Sequence, residues 1–550
     1  MITSLTINKF KRFDGLTFSL PGSVVLAGPN NTGKTTLLQA VATWSLALER
    51  WRTANDFNPR KGYIRVPMTR RMFSAVPLRN FDLLWRDRLY QGRIDIGVRL
   101  ADGRAITMEL EADSSEQVYV KPHNETDPDH LRTVPPSIAY VPPMTGLSVD
   151  EPVYQRPKIE QLLGQGKPGE VIRNLLVIAK QNEDAWRSLT HVIQRLFALE
   201  LLPPDDSGAD IVAEYRSNTQ GGKQGAKLDI GSAGSGFQQV LLLMTFLHAK
   251  PGAILLLDEP DAHLHVILQD AIYHELRSVA ERNGSQLIAA THSEVIIDAV
   301  EPTELYVVLN EPRPLAGNEE RRALIRSLRV LDNADLMRAL PAQGVLYVEG
   351  YTDLALLREW ARILNHPAQQ ILGPDLFWHP TVWEPRDGAS GIKAKDHYEA
   401  LKLVRPDLPG LILLDGDDNP NITDTPLTGS GLQRIRWKRY EIESYLLHPD
   451  ALARFAEKLT GNADSGAALR QYLAENHVPG FLANPHTDPD YIKSTKARTT
   501  LIPPALAAAG LQLSYTRYHK IAVVMKPEEI HPEVKEKLDG LCLAFGVANV

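Results

Sequence analysis

The sequence predicts an α/β protein whose functional residues follow the ends of parallel strands. A glycine-rich loop, residues 28–35, lies between an apolar strand pattern and a helical pattern. Two further apolar runs, 253–257 and 411–414, are each followed at once by acidic residues. Continuous apolar strands are typical of parallel sheets, and ligand-binding side chains collect at the carboxyl ends of such strands.

The composition indicates a folded protein of several domains. The chain has 550 residues, of which 43% are hydrophobic and 23% charged, and its formal net charge is −7. Two or three domains are expected, because one hydrophobic core rarely supports this length. The negative charge argues against a protein that coats nucleic acid everywhere but allows a local basic groove. The single cysteine, Cys542, excludes an intrachain disulfide and favours a cytoplasmic setting. The pattern suggests neither a signal peptide nor a membrane span.

The loop at 28–35 has the spacing of a phosphate-binding loop. In this strand-loop-helix context, backbone N–H groups would surround the phosphates, Lys34 would reach the outer phosphates, and the Thr35 hydroxyl would bind Mg²⁺. The candidate nucleotide-binding residues of the loop are Asn30, Asn31, Gly33, Lys34, Thr35 and Thr36. The alternative is a chance glycine-rich turn, and the motifs that follow make it less tenable.

Three later segments supply what ATP hydrolysis needs. Small residues at 234–238 open a helical pattern and can offer N–H groups and a hydroxyl to a phosphate. Asp258 ends an apolar strand, where it would hold Mg²⁺, and Glu259 would orient the attacking water. His292 follows another core strand and would contact the γ-phosphate. The candidates from these segments are Ser235, Gly236, Gln238, Asp258, Glu259 and His292.

Residues 50–93 are rich in basic and aromatic side chains. They hold eleven Arg and Lys against three Asp, with aromatic residues interleaved. This mixture suits contact with a nucleic-acid backbone and stacking on its bases. It is equally typical of a solvated face on an inserted element, so both interpretations stay open. The alternation on both sides of Asp102-Gly103 predicts a β-hairpin over 93–111.

The order of these motifs resembles that of ABC-type ATPases. The Asp-Ala-His-Leu-His run at 261–265 is similar to the variant in RecF-like and OLD-family proteins. In that family two ATPase heads sandwich ATP, and the Gly-Ser-Gly loop of one head completes the site of the other. The resemblance implies an ABC/RecF-like head over residues 1–310, with inserted β elements and a helical insertion at about 150–225. It also implies a homodimer through the heads, or a higher oligomer.

The second half carries a set of strand-end carboxylates. Residues 311–342 are expected to form a linker. Glu349 ends one strand pattern and is followed by Asp353, and Asp415 and Asp417 end another. In one parallel sheet these residues would converge, and such oxygen ligands hold Mg²⁺ or Mn²⁺. Taken alone, 415–418 could equally be a polar turn. The pairing with Glu349 favours a metal site, because crowded carboxylates without a cation repel.

These segments resemble a TOPRIM domain, the metal-dependent phosphodiester fold of topoisomerases, primases and OLD-family nucleases. The resemblance implies a TOPRIM domain at 343–450 and a helical C-terminal part at 451–550. A Glu-x-Glu segment at 441–443 matches the family's Glu-x-Glu-Asn, with Ser444 in place of Asn. The implied metal ligands are Glu349, Asp353, Asp415, Asp417, Glu441 and Glu443, and the implied catalytic residues are Glu349, Asp415, Asp417 and Lys493. Lys496 is a second candidate for the lysine, and for both an ordinary surface lysine is at least as good an interpretation. The basic segment 433–440 would follow a DNA backbone.

An ABC head followed by a TOPRIM domain is the arrangement of OLD-family nucleases, including the Gabija nuclease subunit and retron-associated effectors. The resemblance implies an ATP-regulated DNA endonuclease in bacterial antiphage defence, with ATP and Mg²⁺ or Mn²⁺ as cofactors. DNA is the expected substrate, and a helicase or a retron's RNA and reverse transcriptase are expected partners. The alternative is a DNA-repair or chromosome-binding ATPase whose TOPRIM domain binds DNA without cutting it. The intact carboxylates speak against that alternative.

Overall fold

The chain folds into two compact units, Met1–Leu328 and Arg329–Val550. The structure is a computed structural model. It describes residues 1–54, 62–73, 76, 78–133, 135–143, 146–217, 225–262, 264–309, 311–331, 333–339, 341–383, 392–416 and 431–547. Asp417, one of the predicted metal ligands, lies outside these residues.

The first unit is built from mixed strands and helices. Its strands are β1 (Ile2–Asn8), β2 (Leu16–Ser19), β3 (Val24–Ala27), β4 (Val66–Thr69), β5 (Arg93–Leu100), β6 (Ala105–Ser114), β7 (Gln117–Pro122), β8 (Ile138–Val141), β9 (Leu199–Leu201), β10 (Glu214–Ser217), β11 (Leu228–Asp229), β12 (Ile254–Asp258), β13 (Gln286–Thr291), β14 (Leu305–Val308) and β15 (Pro312–Pro314). Its helices are α1 (Lys34–Thr53), α2 (Pro128–Arg132), α3 (Arg156–Gly164), α4 (Ile172–Lys180), α5 (Glu183–Phe197), α6 (Ser235–Ala249), α7 (Val266–Arg282), α8 (Glu294–Ala299) and α9 (Asn318–Val330).

A six-stranded sheet in the order β15-β14-β3-β13-β12-β8 carries the predicted nucleotide motifs. Its strands are parallel except for β15, which pairs antiparallel with β14 at the edge. Every residue of β3, β8, β12 and β13 is buried, which explains why these strands are apolar apart from Gln286, Thr291 and Asp258 at strand ends. The parallel arrangement places the segments that follow these strands at one edge of the sheet.

The second six-stranded sheet is antiparallel, in the order β2-β1-β5-β6-β7-β4. Burial alternates along β5, as expected for a sheet with one face on the core. The predicted hairpin over 93–111 is confirmed by the pairing of β5 with β6. The insertion expected to be helical contains α3, α4 and α5, and it also supplies β9 and β10 of a small three-stranded sheet.

Four aromatic residues of 50–93 belong to the hydrophobic core of the first unit. Trp51, Phe73, Phe81 and Trp85 are each at most 2% exposed. The Trp51 indole donates a hydrogen bond to the carbonyl oxygen of Ile64 at 2.9 Å. Buried rings cannot stack on nucleic-acid bases, so the base-stacking interpretation is wrong for these four residues.

Residues 311–342, expected to be a linker, contain regular structure. Strand β15 extends the parallel sheet, and α9 follows it. The division between the two units falls at 328/329, inside the last turn of α9. Pro312 and Pro314 therefore lie in an edge strand, and the charged residues at 319–322 lie in a helix with a buried side.

The second unit combines a small parallel sheet with many helices. Its strands are β16 (Val345–Val348), β17 (Phe377–Pro380), β18 (Val382–Trp383), β19 (Ile392–Lys393), β20 (Gly410–Leu414) and β21 (Leu432–Arg436). Its helices are α10 (Asn333–Ala339), α11 (Tyr351–Ile363), α12 (Ala394–Val404), α13 (Pro449–Thr460), α14 (Ala463–Asn476), α15 (Pro479–Ala483), α16 (Asp490–Ser494), α17 (Ile502–Ala508), α18 (His519–Ala522) and α19 (Pro532–Ala544). The sheet order is β17-β16-β20-β21, and all three pairings are parallel.

The basic segment at 433–440 is partly internal. Trp437 is 3% exposed and Arg439 is 1% exposed. The Arg439 guanidinium donates to Asp488 at 2.9 Å and to the carbonyl oxygens of Ser444, Pro485 and Thr487 at 2.8–2.9 Å. These two side chains serve the fold and are not available to a DNA backbone. Across the described ranges, none of the helices has the length and apolar character that crossing a membrane requires.

Candidate functional site

The predicted phosphate loop joins β3 to α1, and two of its glycines are sterically required. A Cβ added at Gly28 would lie 2.3 Å from the carbonyl oxygen of Val308. Gly33 has φ +107°, and a Cβ there would lie 2.6 Å from the Phe13 ring. The loop therefore packs too closely on neighbouring strands and side chains to accept larger residues.

Lys34 lies inside the loop. Its ammonium group donates hydrogen bonds to the carbonyl oxygens of Gly28 and Pro29, both at 2.7 Å. Burial lowers the pKa of Lys34 to about 8, although the carboxylates of Glu259, Asp258 and Asp261 act in the opposite direction. A bound phosphate would replace the two carbonyls as the partner of this amine. The other candidates of the loop lie at its surface: Asn30, Asn31 and Thr35 are exposed, and Thr36 is half-buried.

Asp258 ends β12 and contacts the phosphate loop directly. Its carboxylate accepts hydrogen bonds from the Thr35 hydroxyl and from the Tyr140 hydroxyl, each at 2.9 Å. Asp258 is 2% exposed, and burial raises its pKa. Thr35 and Asp258 are the two residues predicted to bind Mg²⁺, and the structure brings them together. Tyr140, at the end of β8, was not predicted as a site residue.

Glu259 and His292 follow neighbouring parallel strands and approach each other. The Glu259 carboxylate lies 3.4 Å from Nδ1 of His292. Glu259 adopts φ +49°, and its N–H donates to the carbonyl oxygen of Ala290 at 2.8 Å. This left-handed conformation is uncommon for a residue other than glycine, and it immediately follows Asp258. Asp261, also missed by the sequence analysis, is buried and accepts a hydrogen bond from Thr291 at 2.6 Å.

The Gly-Ser-Gly segment begins α6, as expected. Gly234 is the N-cap, and Ser235 is exposed at the first helical position. Gly236 follows in the same turn. The Gln238 amide donates to the carbonyl oxygens of Gly231 and Ala233 at 2.8 and 2.9 Å, which fastens the preceding loop to the helix.

The second candidate site gathers carboxylates at the ends of β16 and β20. Asp353 lies in the first turn of α11, where it accepts a hydrogen bond from the backbone N–H of Glu349 at 3.1 Å. Asp415 follows β20 and accepts a hydrogen bond from the backbone N–H of Ile442 at 2.9 Å. The latter bond brings the segment with Glu441 and Glu443 onto the strand end. We call Glu349, Asp353, Asp415, Glu441 and Glu443 the acidic cluster.

Three members of the acidic cluster are arranged as a set of metal ligands. Asp415, Glu441 and Glu443 each offer a carboxylate oxygen, and these oxygens lie within 4.8 Å of one another. All three residues are buried. Within the described part of the chain, Oε1 of Glu443 is buried without a hydrogen-bond partner. A buried, unpartnered carboxylate oxygen beside two other carboxylates fits a hard divalent cation such as Mg²⁺ or Mn²⁺.

The pKa values show the electrostatic cost of this arrangement. Burial raises the pKa of Glu443 to about 7, and the Glu441 charge adds to the shift. Burial and the Glu349 charge raise the pKa of Asp353 to about 6. Burial raises the pKa of Asp415 as well, with further contributions from Glu349, Asp353 and Glu443. A divalent cation would reverse these shifts, because it favours the ionised carboxylates.

The basic groups that act on the acidic cluster are Arg498, which was not predicted, and Lys496, the second lysine candidate. Lys493, the predicted catalytic lysine, is exposed on α16. The backbone N–H of Arg498 donates to Glu441 at 2.5 Å, and its guanidinium lies 3.5 Å from the same carboxylate. Arg498 and Lys496 both lower the pKa of Glu441, against the larger effect of burial. Arg498 was missed because no local motif links it to a segment 57 residues earlier.

Comparison with known proteins identifies the ATPase part. Residues 151–298 match the family described as "AAA domain, putative AbiEii toxin, Type IV TA system". This stretch contains the segments with Ser235, Asp258, Glu259 and His292, so the first unit contains an ATPase domain. No curated protein matches the chain.

Among solved structures, the chain is similar to SMC head domains. An SmcHead bound to the C-winged helix domain of ScpA is 14% identical over 56% of this chain and 93% of that one, with a TM-score of 0.33. The SMC head domain from Thermotoga maritima is 14% identical over 57% and 99% of the two chains, with a TM-score of 0.32. A third, an Smc head domain with an extended coiled coil bound to the C-terminal domain of ScpA derived from Pyrococcus furiosus, is 12% identical over 56% and 92%, with a TM-score of 0.32.

Proposed function

We propose that the protein is an ATP-regulated, divalent-metal-dependent DNA endonuclease. The observation that carries this proposal is the acidic cluster, in which Asp415, Glu441 and Glu443 are buried together and the pKa of Glu443 is raised to about 7 by burial and by the Glu441 charge, although Arg498 lies nearby. A protein that used this edge of the sheet only for packing or DNA binding would gain nothing from buried, mutually repelling carboxylates. A site that binds a cation requires them.

In this proposal the acidic cluster holds Mg²⁺ or Mn²⁺, together with Asp417 outside the described residues. The metal would supply an activated water and would stabilise the charge that develops on the scissile phosphate. The hydrogen bond from the backbone N–H of Ile442 would orient the Asp415 carboxylate, and it also holds the segment that carries Glu443 beside Asp415. The guanidinium of Arg498, next to Glu441, would offset negative charge from the phosphate. The parallel sheet with acidic strand ends supports the resemblance to TOPRIM domains.

ATP would act through the first unit. Lys34 and Thr35 would bind the phosphates and Mg²⁺, with Asp258 as the second metal-binding residue, and Glu259 would orient water near His292. The contact between Thr35 and Asp258 at 2.9 Å supports this division of roles.

The heads would form a homodimer. Ser235 and the glycines beside it begin a 15-residue helix, and Ser235 is exposed there. That position suits a phosphate contact supplied to a second copy of the chain. Closure of the dimer on ATP would then control access of DNA to the acidic cluster.

A role in bacterial antiphage defence is part of the proposal. The matched family is described as a putative toxin of a type IV toxin-antitoxin system, and the resemblance to OLD-family nucleases points the same way. A helicase, or a retron's RNA and reverse transcriptase, would be the partner that provides or signals the DNA substrate.

The test is cleavage of plasmid DNA by the full chain with Mg²⁺ or Mn²⁺, with and without ATP. We expect wild type to cut and Asp415→Asn to lose cleavage while it still binds DNA in a gel-shift assay. Asp407→Asn is the matched control, because Asp407 is an exposed aspartate of the same unit. Lys34→Ala should change the response to ATP and leave the metal requirement intact. Wild type that binds DNA but does not cut under any metal and nucleotide condition would contradict the proposal and favour a DNA-binding ATPase.

A further inference from the structure

The second unit contains another cluster of metal-ligating side chains, separate from the acidic cluster in its residues. Asp335 lies on α10, His379 on β17 and His397 on α12. Each offers one ligand atom, and the three atoms lie within 4.8 Å of one another. Asp335 is 4% exposed and His397 is fully buried. Three elements that are distant in sequence thus bring two imidazoles and one carboxylate to a single internal point.

The distances within this cluster suit a cation with nitrogen and oxygen ligands. Nε2 of His397 lies 3.3 Å from one carboxylate oxygen of Asp335, and Nε2 of His379 lies 2.6 Å from the other. Bonds of about 2.0–2.2 Å to zinc in tetrahedral geometry separate neighbouring ligand atoms by about 3.4 Å. These two distances involve different oxygens of Asp335, so a single oxygen that bound the ion would have to approach both nitrogens. One ligand atom from each of the three residues already lies within 4.8 Å of the other two, and binding of the ion would shorten these separations to about 3.4 Å.

The orientation of His397 is fixed from its other side. Nδ1 of His397 lies 2.8 Å from the Tyr347 hydroxyl, which points Nε2 towards Asp335. A hydroxyl can accept as well as donate, so Tyr347 accommodates the tautomer with the proton on Nδ1 that a metal on Nε2 requires. This is the outer contact that metal-binding histidines typically make.

We propose that Asp335, His379 and His397 form a binding site for a divalent transition metal, with Zn²⁺ as the best fit. Imidazole nitrogens favour Zn²⁺ and related ions over Mg²⁺, so this site would differ in metal preference from the acidic cluster. Water would complete the coordination. The bound ion would tie α10 to β17 and α12 and so stabilise the beginning of the second unit.

The test measures metal binding by the full chain after treatment with a chelator. Titration with Zn²⁺ is followed by elemental analysis of the dialysed protein, in a Glu443→Gln background that weakens the acidic cluster. We expect one tightly bound Zn²⁺ per chain, lost in His397→Gln. His366→Gln is the matched control, because His366 is a buried histidine of the same unit that contacts a single carboxylate, Asp539, at 3.0 Å.

A second measurement uses wild type alone, so its result does not depend on whether the variant folds. Co²⁺ bound at this site should give visible d–d absorption with the intensity of a low-coordinate nitrogen-containing site, and Zn²⁺ should abolish it. Absence of that absorption, or equal Zn²⁺ content in wild type and His397→Gln, would overturn the proposal. The two imidazoles would then be hydrogen-bonding partners of Asp335 and would not be metal ligands. Neither measurement depends on nuclease activity, so this test is independent of the proposed function.

Discussion

Replacing Glu443 by Gln should stabilise the metal-free protein at alkaline pH. In the folded state, burial raises the pKa of this carboxyl from 4.5 to about 7. Because the folded pKa is the higher one, the folded state binds more protons between these values, and stability falls as the pH rises through this window. At pH 8 the ionised carboxylate costs about 3 kcal/mol of unfolding free energy, at about 1.4 kcal/mol per pKa unit. At pH 5 the cost is below about 1 kcal/mol.

The assay is urea-dependent hydrogen exchange read by mass spectrometry, which reports the second unit separately from the first. Wild type and Glu443→Gln are compared in a chelator at pH 5 and pH 8. Glu533→Gln is the matched control, since both glutamates are 1% exposed and lie in the same unit. Glu533 accepts hydrogen bonds from the N–H of Lys438 at 2.9 Å and from the Tyr445 hydroxyl. Its replacement should therefore destabilise the unit by about 1–3 kcal/mol.

A loss of stability in Glu443→Gln at pH 8 without metal, or the same effect at both pH values, would refute this prediction. Either result would mean that the Glu443 carboxylate is compensated in the metal-free protein. Added Mg²⁺ or Mn²⁺ should make wild type the more stable protein, because a cation that binds the folded state stabilises it by RT ln(1 + [L]/Kd) and binds the variant more weakly.

Outcomes are expected for four further variants of the ATPase unit. Lys34→Ala should lose ATP binding in equilibrium dialysis, whereas Glu259→Gln should bind ATP and hydrolyse it at least about 100-fold more slowly; a Glu259 variant with a normal rate would remove that residue from the mechanism. Gly28→Ala should destabilise the unit by at least about 2 kcal/mol in a thermal melt, because its Cβ would meet the carbonyl oxygen of Val308 at 2.3 Å; an unchanged melting temperature would show that the loop can shift at no cost. Tyr140→Phe should slow Mg²⁺-dependent hydrolysis by about 10-fold and retain ATP binding, because it loses one hydrogen bond of about 1.5 kcal/mol to a carboxylate. An equal loss of ATP binding would mean that Tyr140 supports the structure of the site and has no specific part in hydrolysis.

The sequence predicted the strand-end carboxylates because their placement follows from a local rule. A buried parallel strand reads as an uninterrupted apolar run, and the residue after it lies at the ligand-binding edge of the sheet. Asp258, Glu349 and Asp415 each satisfy both conditions within a few residues. The proximity of Glu349 and Asp415 needs only that their strands belong to one sheet, which β16 and β20 do.

The residues that were missed or misread depend on contacts between distant segments. Tyr140 reaches Asp258 across 118 residues, and Arg498 reaches Glu441 across 57. Trp51 and Phe81 looked like exposed stacking residues because the arginines around them set the local composition. Their burial is decided by the antiparallel sheet that covers them, and no short window of sequence contains that sheet.

The two candidate sites follow the same rule of placement but differ in how their carboxylates are compensated. The Asp258 carboxylate accepts hydrogen bonds from two hydroxyls, those of Thr35 and Tyr140. Both of its oxygens therefore have hydrogen-bond partners before any cation binds. Mg²⁺ would then have to share Thr35 with Asp258, which favours binding together with a nucleotide that brings its own oxygens. Glu443 has a buried oxygen without a partner among the described residues, so a cation gains stability there without a nucleotide. The acidic cluster should therefore bind metal in the absence of ATP. In the proposed function, ATP would then control access of DNA to the cluster and not the binding of its metal.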